Sequence, residues 1–329
     1  MGELLINAVL VGCGAVGAGY DLKKNDPTNV LSHAGAYRHV EGVRLIGCVD
    51  PDPIRLAEMS DVYNVEHCFE TMADLIKADI CFDVLSVCTP TSLHQEVLEA
   101  AFLRPIKAIV CEKPVSEDLQ TSQNFVEQAE RMGIAFAVNY FRLWDQNVIE
   151  LAQRFQAGEF GCFQGAQAGY VKGVMHNGTH LLTLLQEFLG TLEVDCMIHP
   201  ETARSGRGAD FVLRSEAHPK ASIQISAFDA CLYNFFEATL FFEKAVLHFE
   251  DGGRRIRLRT PCEHDLYKGF VYPEEEQSLP STQGQAMIHM IKEVVNCAKN
   301  GHDFRRNARW CLEAEQLGFQ IAGMKRGTL

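Results

Sequence analysis

The sequence predicts an α/β protein of two parts, a doubly wound parallel sheet followed by a mostly antiparallel one. Three observations predict it. Up to Asn139, short apolar runs rich in Val and Ile alternate with helix-length segments, as in successive βα units. The first of these runs ends in Gly12, Gly14 and Gly17, spaced G-x-G-x-x-G. Beyond Asn139, extended segments follow one another with few helices between them, the order of an antiparallel sheet. At 329 residues the chain is long for a single core, so the two patterns are assigned to two domains, 1–139 and 140–329.

In chain order, Leu4 to Val11 is the first strand. Gly12 lets the chain turn sharply off it, Gly14 lets backbone approach a pyrophosphate, and Gly17 lets the next helix pack on the sheet. Ala15 and Val16 lie within that turn, whose N–H groups and helix dipole favour an anion. Tyr20 to Ser32 is polar and contains Asp26-Pro27, so the helix is expected to break into a loop and resume near His33-Ala34. That insertion stretches the distance from the glycines to Asp50 beyond the usual ~20 residues. Val43 to Asp50 is the second strand. The Asp50 carboxylate can accept both adenosine-ribose hydroxyls and repel a 2′-phosphate, which favours NAD over NADP; Arg55 is the nearest arginine.

Further strands are expected at Asp83–Cys88, Lys107–Cys111 and Ala135–Val138, with helices opening at Pro53, running from about Ser92 to Leu103, and from Leu119 to Met132. In the second part, helices are expected at Gln146–Phe155 and Thr179–Leu189. Strands are expected at Cys162–Val171, Glu193–Ile198, Asp210–Ser215, Ser222–Phe228, Phe235–Phe242, Ala245–Phe249 and Ile256–Thr260. Two amphipathic helices, Thr282–Lys299 and Asn307–Lys325, close the chain.

A net charge of -13 argues against nucleic acid or an anionic membrane as partner, because phosphate backbones need clustered Lys and Arg. The twelve cysteines include no C-x-x-C, and several sit in strand-like apolar runs, so they read as buried thiols. Without a signal-like N-terminus or a long apolar run, the expectation is a cytoplasmic protein.

Three constellations fall where strands end or helices begin. Lys113, in Glu112-Lys113-Pro114, has an ammonium suited to steadying a developing alkoxide. Thr89-Pro90, four residues before His94, would set backbone beside a cofactor. His176 and His180, four apart at the entry to the apolar helix, would share one face, and a neutral imidazole suits removal of a hydroxyl proton. The H-E-x-x-H glutamate is absent, Asn177 standing there, so no metal is assigned. Arg142, Tyr170 and Lys172 are candidate substrate contacts, and Arg204 and Arg207 could grip an anionic group.

Taken together and in this order, the glycines, Asp50, Thr89-Pro90-x-x-x-His94, Glu112-Lys113-Pro114 and Gly178-x-His180 resemble the Gfo/Idh/MocA oxidoreductases. The resemblance implies an N-terminal Rossmann domain and a C-terminal α/β domain with a large open sheet used for oligomerisation. It also implies a held NAD(P) and redox chemistry at a secondary alcohol or ketone of a sugar, polyol or sugar nucleotide. Lys113 then matches the lysine of the E-K-P motif, Pro114 its often cis proline, and His180 the catalytic histidine. His176 stands where the family has aspartate, and Thr183 where it has an acid or amide. Lys113 and His180 are expected to border one nicotinamide ring. Aromatic pairs at Phe235-Phe236 and Phe241-Phe242 suggest a sheet in need of cover, hence a homo-oligomer. Two further readings stay open: a non-catalytic dinucleotide sensor, and an elimination or glycoside cleavage that recycles NAD.

Overall fold

In the computed structural model, which describes residues 5–200, 208–229, 233–301 and 304–324, β1 (Ile6–Val11) lies inside a six-stranded parallel sheet. The other strands are β2 (Val43–Val49), β3 (His67–Phe69), β4 (Val84–Val87), β5 (Ala108–Cys111) and β6 (Ala135–Val138), in the order β3-β2-β1-β4-β5-β6. β4 and β5 are buried at every position, which is why they read as unbroken apolar runs rather than alternating ones. The strand order reverses direction between β1 and β4, placing a switch point at their carboxyl ends.

The helices of this unit begin where side chains can take up free N–H groups. In α2 (Pro53–Tyr63) Asp52 accepts from Ile54 N at 2.9 Å and Pro53 fills the first turn. In α3 (Met72–Lys77) Thr71 is the cap, and in α5 (Leu119–Met132) Asp118 accepts from Thr121 N at 2.7 Å. α4 (His94–Ala101) follows β4 through one short 3₁₀ turn.

The first helix is spliced. A helical turn starts at Gly14, breaks after Asp21, and α1 (His33–Arg38) resumes after the insertion. The carbonyls of Val16 and Gly17 accept from His33 N (3.0 Å) and Ala34 N (2.9 Å), so α1 takes up the ladder where the first turn left it. Asp21 ties the base of the loop shut, its Oδ2 accepting from Leu31 N, Ser32 N and Ser32 Oγ at 3.0, 2.7 and 2.5 Å. The expected break and the expected resumption point are both found.

One expectation about domains changes. α8 (Ala286–Asn300) buries Met287, Met290, Ile291, Val294 and Val295 against β1, β5, β6 and α1, so it belongs to the parallel-sheet core. The first unit is therefore Met1–Trp144 with Gly284–Leu312, and the second is Asp145–Gln283 with Glu313–Leu329. Helical periodicity shows that a helix has an apolar face without showing which core receives it.

The second unit is an eight-stranded sheet of β7 (Phe163–Tyr170), β8 (Leu192–His199), β9 (Asp210–Ser215), β10 (His218–Ala227), β11 (Phe236–Phe242), β12 (Val246–Glu250), β13 (Arg255–Glu263) and β14 (Val271–Pro280). Its order is β14-β13-β12-β11-β7-β10-β9-β8, antiparallel except where β10 runs parallel to β7. The core comes from α6 (Gln146–Gln156), α7 (Thr179–Leu189) and α9 (Ala308–Gly323) packing with the inward residues of the strands. β3, α3 and β14 are elements that the sequence reading did not expect. β14 carries Pro273 and Pro280 and a run of glutamates, and it forms as an edge strand, where a missing N–H is tolerated. The aromatic pairs divide: Phe236 and Phe242 are buried in the core, and Gln224, Ser226, Glu237 and Thr239 stand on the opposite face. That face is mixed, because Phe235 and Phe241 stand half-buried on it and Phe228 is exposed there.

Candidate functional site

The glycine turn has a specific steric logic. Gly12 has φ +93°, and a Cβ there would lie 2.6 Å from the carbonyl carbon of Cys88. A Cβ on Gly17 would lie 2.0 Å from Gly12 O. Both glycines are demanded by the protein's own packing. Gly14 is different: its φ is ordinary, and a Cβ would meet only Arg55 Nη1 at 3.9 Å. The protein leaves that space open, which fits a turn shaped for a ligand's phosphates.

Asp50 follows β2 and is almost fully buried. Its Oδ2 accepts from Cys13 N at 2.7 Å and its Oδ1 from Asp52 N at 2.9 Å, while Arg55 Nη1 lies 3.4 Å from Oδ2. The carboxylate thus ties the end of β2 to the glycine turn, and Oδ1, with one donor, can still accept a further bond. The helix that follows Pro51 is capped by Asp52.

Thr89-Pro90 and Lys113-Pro114 follow β4 and β5, and the Lys113–Pro114 peptide is cis. His94 joins them. It is fully buried, with Nε2 2.9 Å from Thr89 O and Nδ1 3.0 Å from Pro114 O. This corrects the expectation of His94 as a cofactor contact: its ring is buried between the carbonyls of the two turns. Lys113 is partly buried at the end of β5.

Glu112 belongs to a polar network that the sequence reading missed. His33 is fully buried, with Nδ1 3.2 Å from Ser86 Oγ and Nε2 3.0 Å from Glu112 Oε1. Asn139 Nδ2 donates to the same Glu112 oxygen at 2.6 Å, and Tyr37 Oη lies 2.9 Å from Ser86 Oγ. Burial pushes the Tyr37 phenol well above its usual range, and burial together with Glu112 does the same to the Cys88 thiol. Both therefore keep their protons near neutrality.

In the second unit, α7 spans the expected residues, but it is entered through a π turn, Val174–Gly178. Asn177 N and Gly178 N both bond Gly173 O at 3.2 Å. The wider turn breaks the α-helical repeat, so the histidines differ: His180 is buried, and His176 is exposed with Nδ1 3.2 Å from Asn177 Oδ1. A shared face for the two is thereby corrected. Thr183 donates back to His180 O at 3.0 Å within the helix.

Tyr170 is also corrected as a substrate contact. Fully buried, it donates to Ala209 O and accepts from Ala209 N, both at 3.0 Å, and it packs under Gly178. Lys172 is exposed at φ +68°, a conformation L residues seldom adopt, directly before Gly173 at +81°. Arg142 stacks on the ring of Phe141 at 4.6 Å. Arg204 and Arg207 lie outside the described residues. Among the described residues no group of three or more His, Cys, Asp or Glu is placed to hold a metal ion, and no helix is long and apolar enough to cross a membrane.

A parallel sheet with an open phosphate turn at its switch point, joined to a second unit built on a large open sheet, defines a dinucleotide-binding class of protein. Residues 6–140 match the model of the Gfo/Idh/MocA oxidoreductase family, NAD-binding Rossmann fold. It is 26% identical over 178 residues to an inositol 2-dehydrogenase of Corynebacterium glutamicum, covering 53% of this chain and 49% of that one. A myo-inositol 2-dehydrogenase of Thermotoga maritima is 26% identical over 129 residues, 39% of this chain and 38% of the relative. These matches thus span less than half of each relative. Among solved structures, a 3-ketoreductase from Actinomadura kijaniata, in complex with NADP and TDP-benzene, superposes with TM-score 0.75 at 15% identity over 98% of both chains. An oxidoreductase from Agrobacterium radiobacter, in complex with NAD+, L-tartaric acid and magnesium, does so with TM-score 0.74 at 16% identity, over 98% of this chain and 96% of that one. At these identities the likeness speaks for the fold of the whole chain.

Proposed function

We propose that the protein is an NAD(P)-dependent oxidoreductase acting on a secondary alcohol or ketone carbon of a sugar, polyol or sugar nucleotide. The observation that carries the reading is Gly14, a glycine that no protein atom requires, opening onto the same turn that Asp50 and Arg55 border. When bound, a nicotinamide dinucleotide supplies the hydride acceptor or donor. The chain's own part is binding and proton handling. Backbone N–H groups of the glycine turn, Ala15 and Val16 among them, take the phosphates, and Asp50 accepts the ribose hydroxyls. Lys113 steadies the alkoxide as it develops. His180 takes the hydroxyl proton.

Support for Lys113 comes from its setting: it follows a fully buried parallel strand, and the turns around it are held by His94 and Glu112. Lys113→Ala is expected to lower turnover by about a thousandfold while changing dinucleotide affinity less than about threefold. Steady-state assays across a panel of polyols and sugars, with NADH binding followed by fluorescence, read both. Undiminished turnover would remove Lys113 from the chemistry.

A second reading of the cofactor rests on Arg55, whose half-exposed guanidinium sits beside Asp50 and faces the open side of Gly14. That charge would pair with a 2′-phosphate, against the repulsion from Asp50. The two readings separate on affinities for NADH and NADPH. With NAD as the cofactor, Arg55→Ala leaves NADH affinity within about threefold; with NADP, the same change costs about tenfold or more in NADPH affinity.

A further inference from the structure

We propose that Cys48 and Cys68 form an oxidation site, a dithiol that a hydroperoxide converts to a disulfide joining β2 to the edge strand β3. Its ground is the register of the two strands. Cys48 and Cys68 are directly paired across parallel strands, so both side chains leave the sheet on the same face. Neighbouring strands lie about 4.8 Å apart, inside the Cα separation that a disulfide spans. The two sulfurs are 3.6 Å apart, with the Cys48 thiol donating to the Cys68 sulfur, and Cys68 in turn donates to Leu56 O of α2 at 3.6 Å. Closing the bond asks for an approach of about 1.5 Å, which side-chain rotation and a three-residue edge strand can supply. Cys68 is exposed and Cys48 is fully buried, which divides the roles of attacking and resolving thiol. The pair lies just below Asp50, whose N–H bonds Phe69 O at 3.1 Å.

The step balances with hydrogen peroxide as oxidant. The Cys68 thiolate attacks one peroxide oxygen, the O–O bond breaks, and the other oxygen takes a proton and leaves as water. Cys68 is then a sulfenic acid. The Cys48 sulfur attacks the Cys68 sulfur, the S–O bond breaks, and hydroxide leaves with the Cys48 proton as a second water. The two thiols lose two electrons and the peroxide gains them. Neither thiolate is favoured by its surroundings. Burial, then the Cys48 thiol, pushes the Cys68 thiol up to about 12, and the Cys48 thiol is raised further, first by Cys13 and then by burial. Oxidation is therefore slow near neutrality and quickens as thiolate forms. The disulfide, once made, resists reduction, because a stabilised reduced form is what makes a disulfide strongly oxidising.

The test concerns the chain alone and reads the bond whatever the glycine turn binds. The full-length protein is reduced, freed of reductant and exposed to hydrogen peroxide. Remaining thiols are then blocked with N-ethylmaleimide, and unreduced peptides are mapped by mass spectrometry. A Cys48–Cys68 cross-link is expected, absent from the untreated protein and cleaved by dithiothreitol. Its rate of formation is expected to rise about tenfold per pH unit between about pH 7 and about pH 9. In Cys48→Ala the Cys68 sulfenic acid is expected to persist, and dimedone should trap it at least about fivefold more than in the wild type. Peroxide that oxidises exposed Cys81, Cys162 or Cys196 without cross-linking the pair would overturn the proposal, as would a bond from Cys48 to Cys13 in its place. A rate that does not change with pH would give the attack to another thiol and overturn it too. Mapping of the wild-type protein decides the matter should the alanine variant not fold.

Discussion

The two sheets bury their residues in opposite ways. In the parallel sheet both faces are covered, so β4 and β5 carry no polar face and all chemistry is pushed to the strand ends. In the large sheet burial alternates, as in β10 with Ala221, Ile223, Ile225 and Ala227 inward and Ser222, Gln224 and Ser226 outward. The first arrangement gathers Gly12, Asp50, Thr89 and Lys113 behind the carboxyl ends of its strands. The second spreads polar side chains over a face. Glu250, Arg255, Arg257 and Glu276 form a ladder of ion pairs there, with Arg257 Nη1 2.7 Å from Glu276 Oε2.

The glycine turn gives the largest expected effect and separates packing from ligand binding. Gly17→Ala sets a methyl against Gly12 O, and Gly12→Ala adds a left-handed φ to a backbone clash, so each is expected to cost about 3 kcal/mol or more. Gly14→Ala meets no protein atom closer than 3.9 Å and is expected to leave stability within about 0.5 kcal/mol while weakening dinucleotide affinity at least tenfold, by order of magnitude. Thermal unfolding and calorimetric titration with NAD+ distinguish the cases. A Gly14→Ala protein that binds as well as the wild type would take the open space out of the binding argument.

The alternation in the large sheet gives the next effect. Leu240, fully buried in β11, is expected to cost about 3 kcal/mol as alanine, whereas outward Gln224→Ala is expected to stay within about 0.5 kcal/mol. Urea unfolding measures both. Equal costs would mean that the outward face is as covered as the inward one, which would revive a partner on that side.

What the sequence made legible was local chemistry. The glycine turn, Asp50 behind the second strand, the lysine and proline behind β5, and the apolar run of α7 each announce themselves within a few residues. What it hid depends on contacts distant in the chain. His33 is hidden as a partner of Glu112 because the insertion separates it from the glycines, and only the ladder bonds to Val16 and Gly17 restore its place. Tyr170 looks like a cleft residue until Ala209 is seen to occupy its hydroxyl. The paired histidines presume an α-helical repeat that the π turn removes. β14 reads as loop because its prolines and glutamates suit an edge strand alone.

The smallest expected effect is one of pH, and it belongs to the large sheet. His218 opens β10 with its ring 5.6 Å from that of Phe155 and 5.5 Å from that of Phe163, and burial there holds its imidazole below the usual 6.5. His248, on β12, is lowered by burial and then by Arg257, while Glu250 opposes the shift. For a lowered histidine the unfolded chain binds the extra proton first. Stability from this source is therefore complete above about pH 6.5 and is lost as pH falls below it toward the folded-state value. Partial exposure of both rings keeps the effect small. Replacing His218 with phenylalanine removes one titrating ring and keeps an aromatic between its two neighbours, so the fall in Tm between about pH 7 and about pH 5.5 should be smaller in that variant. Gln at 218 removes the charge but not the polarity, and it should also flatten the slope while lowering Tm throughout. If neither variant changes the slope, the acid sensitivity of the protein lies elsewhere, and the aromatic environment of His218 is packing without a proton-linked consequence.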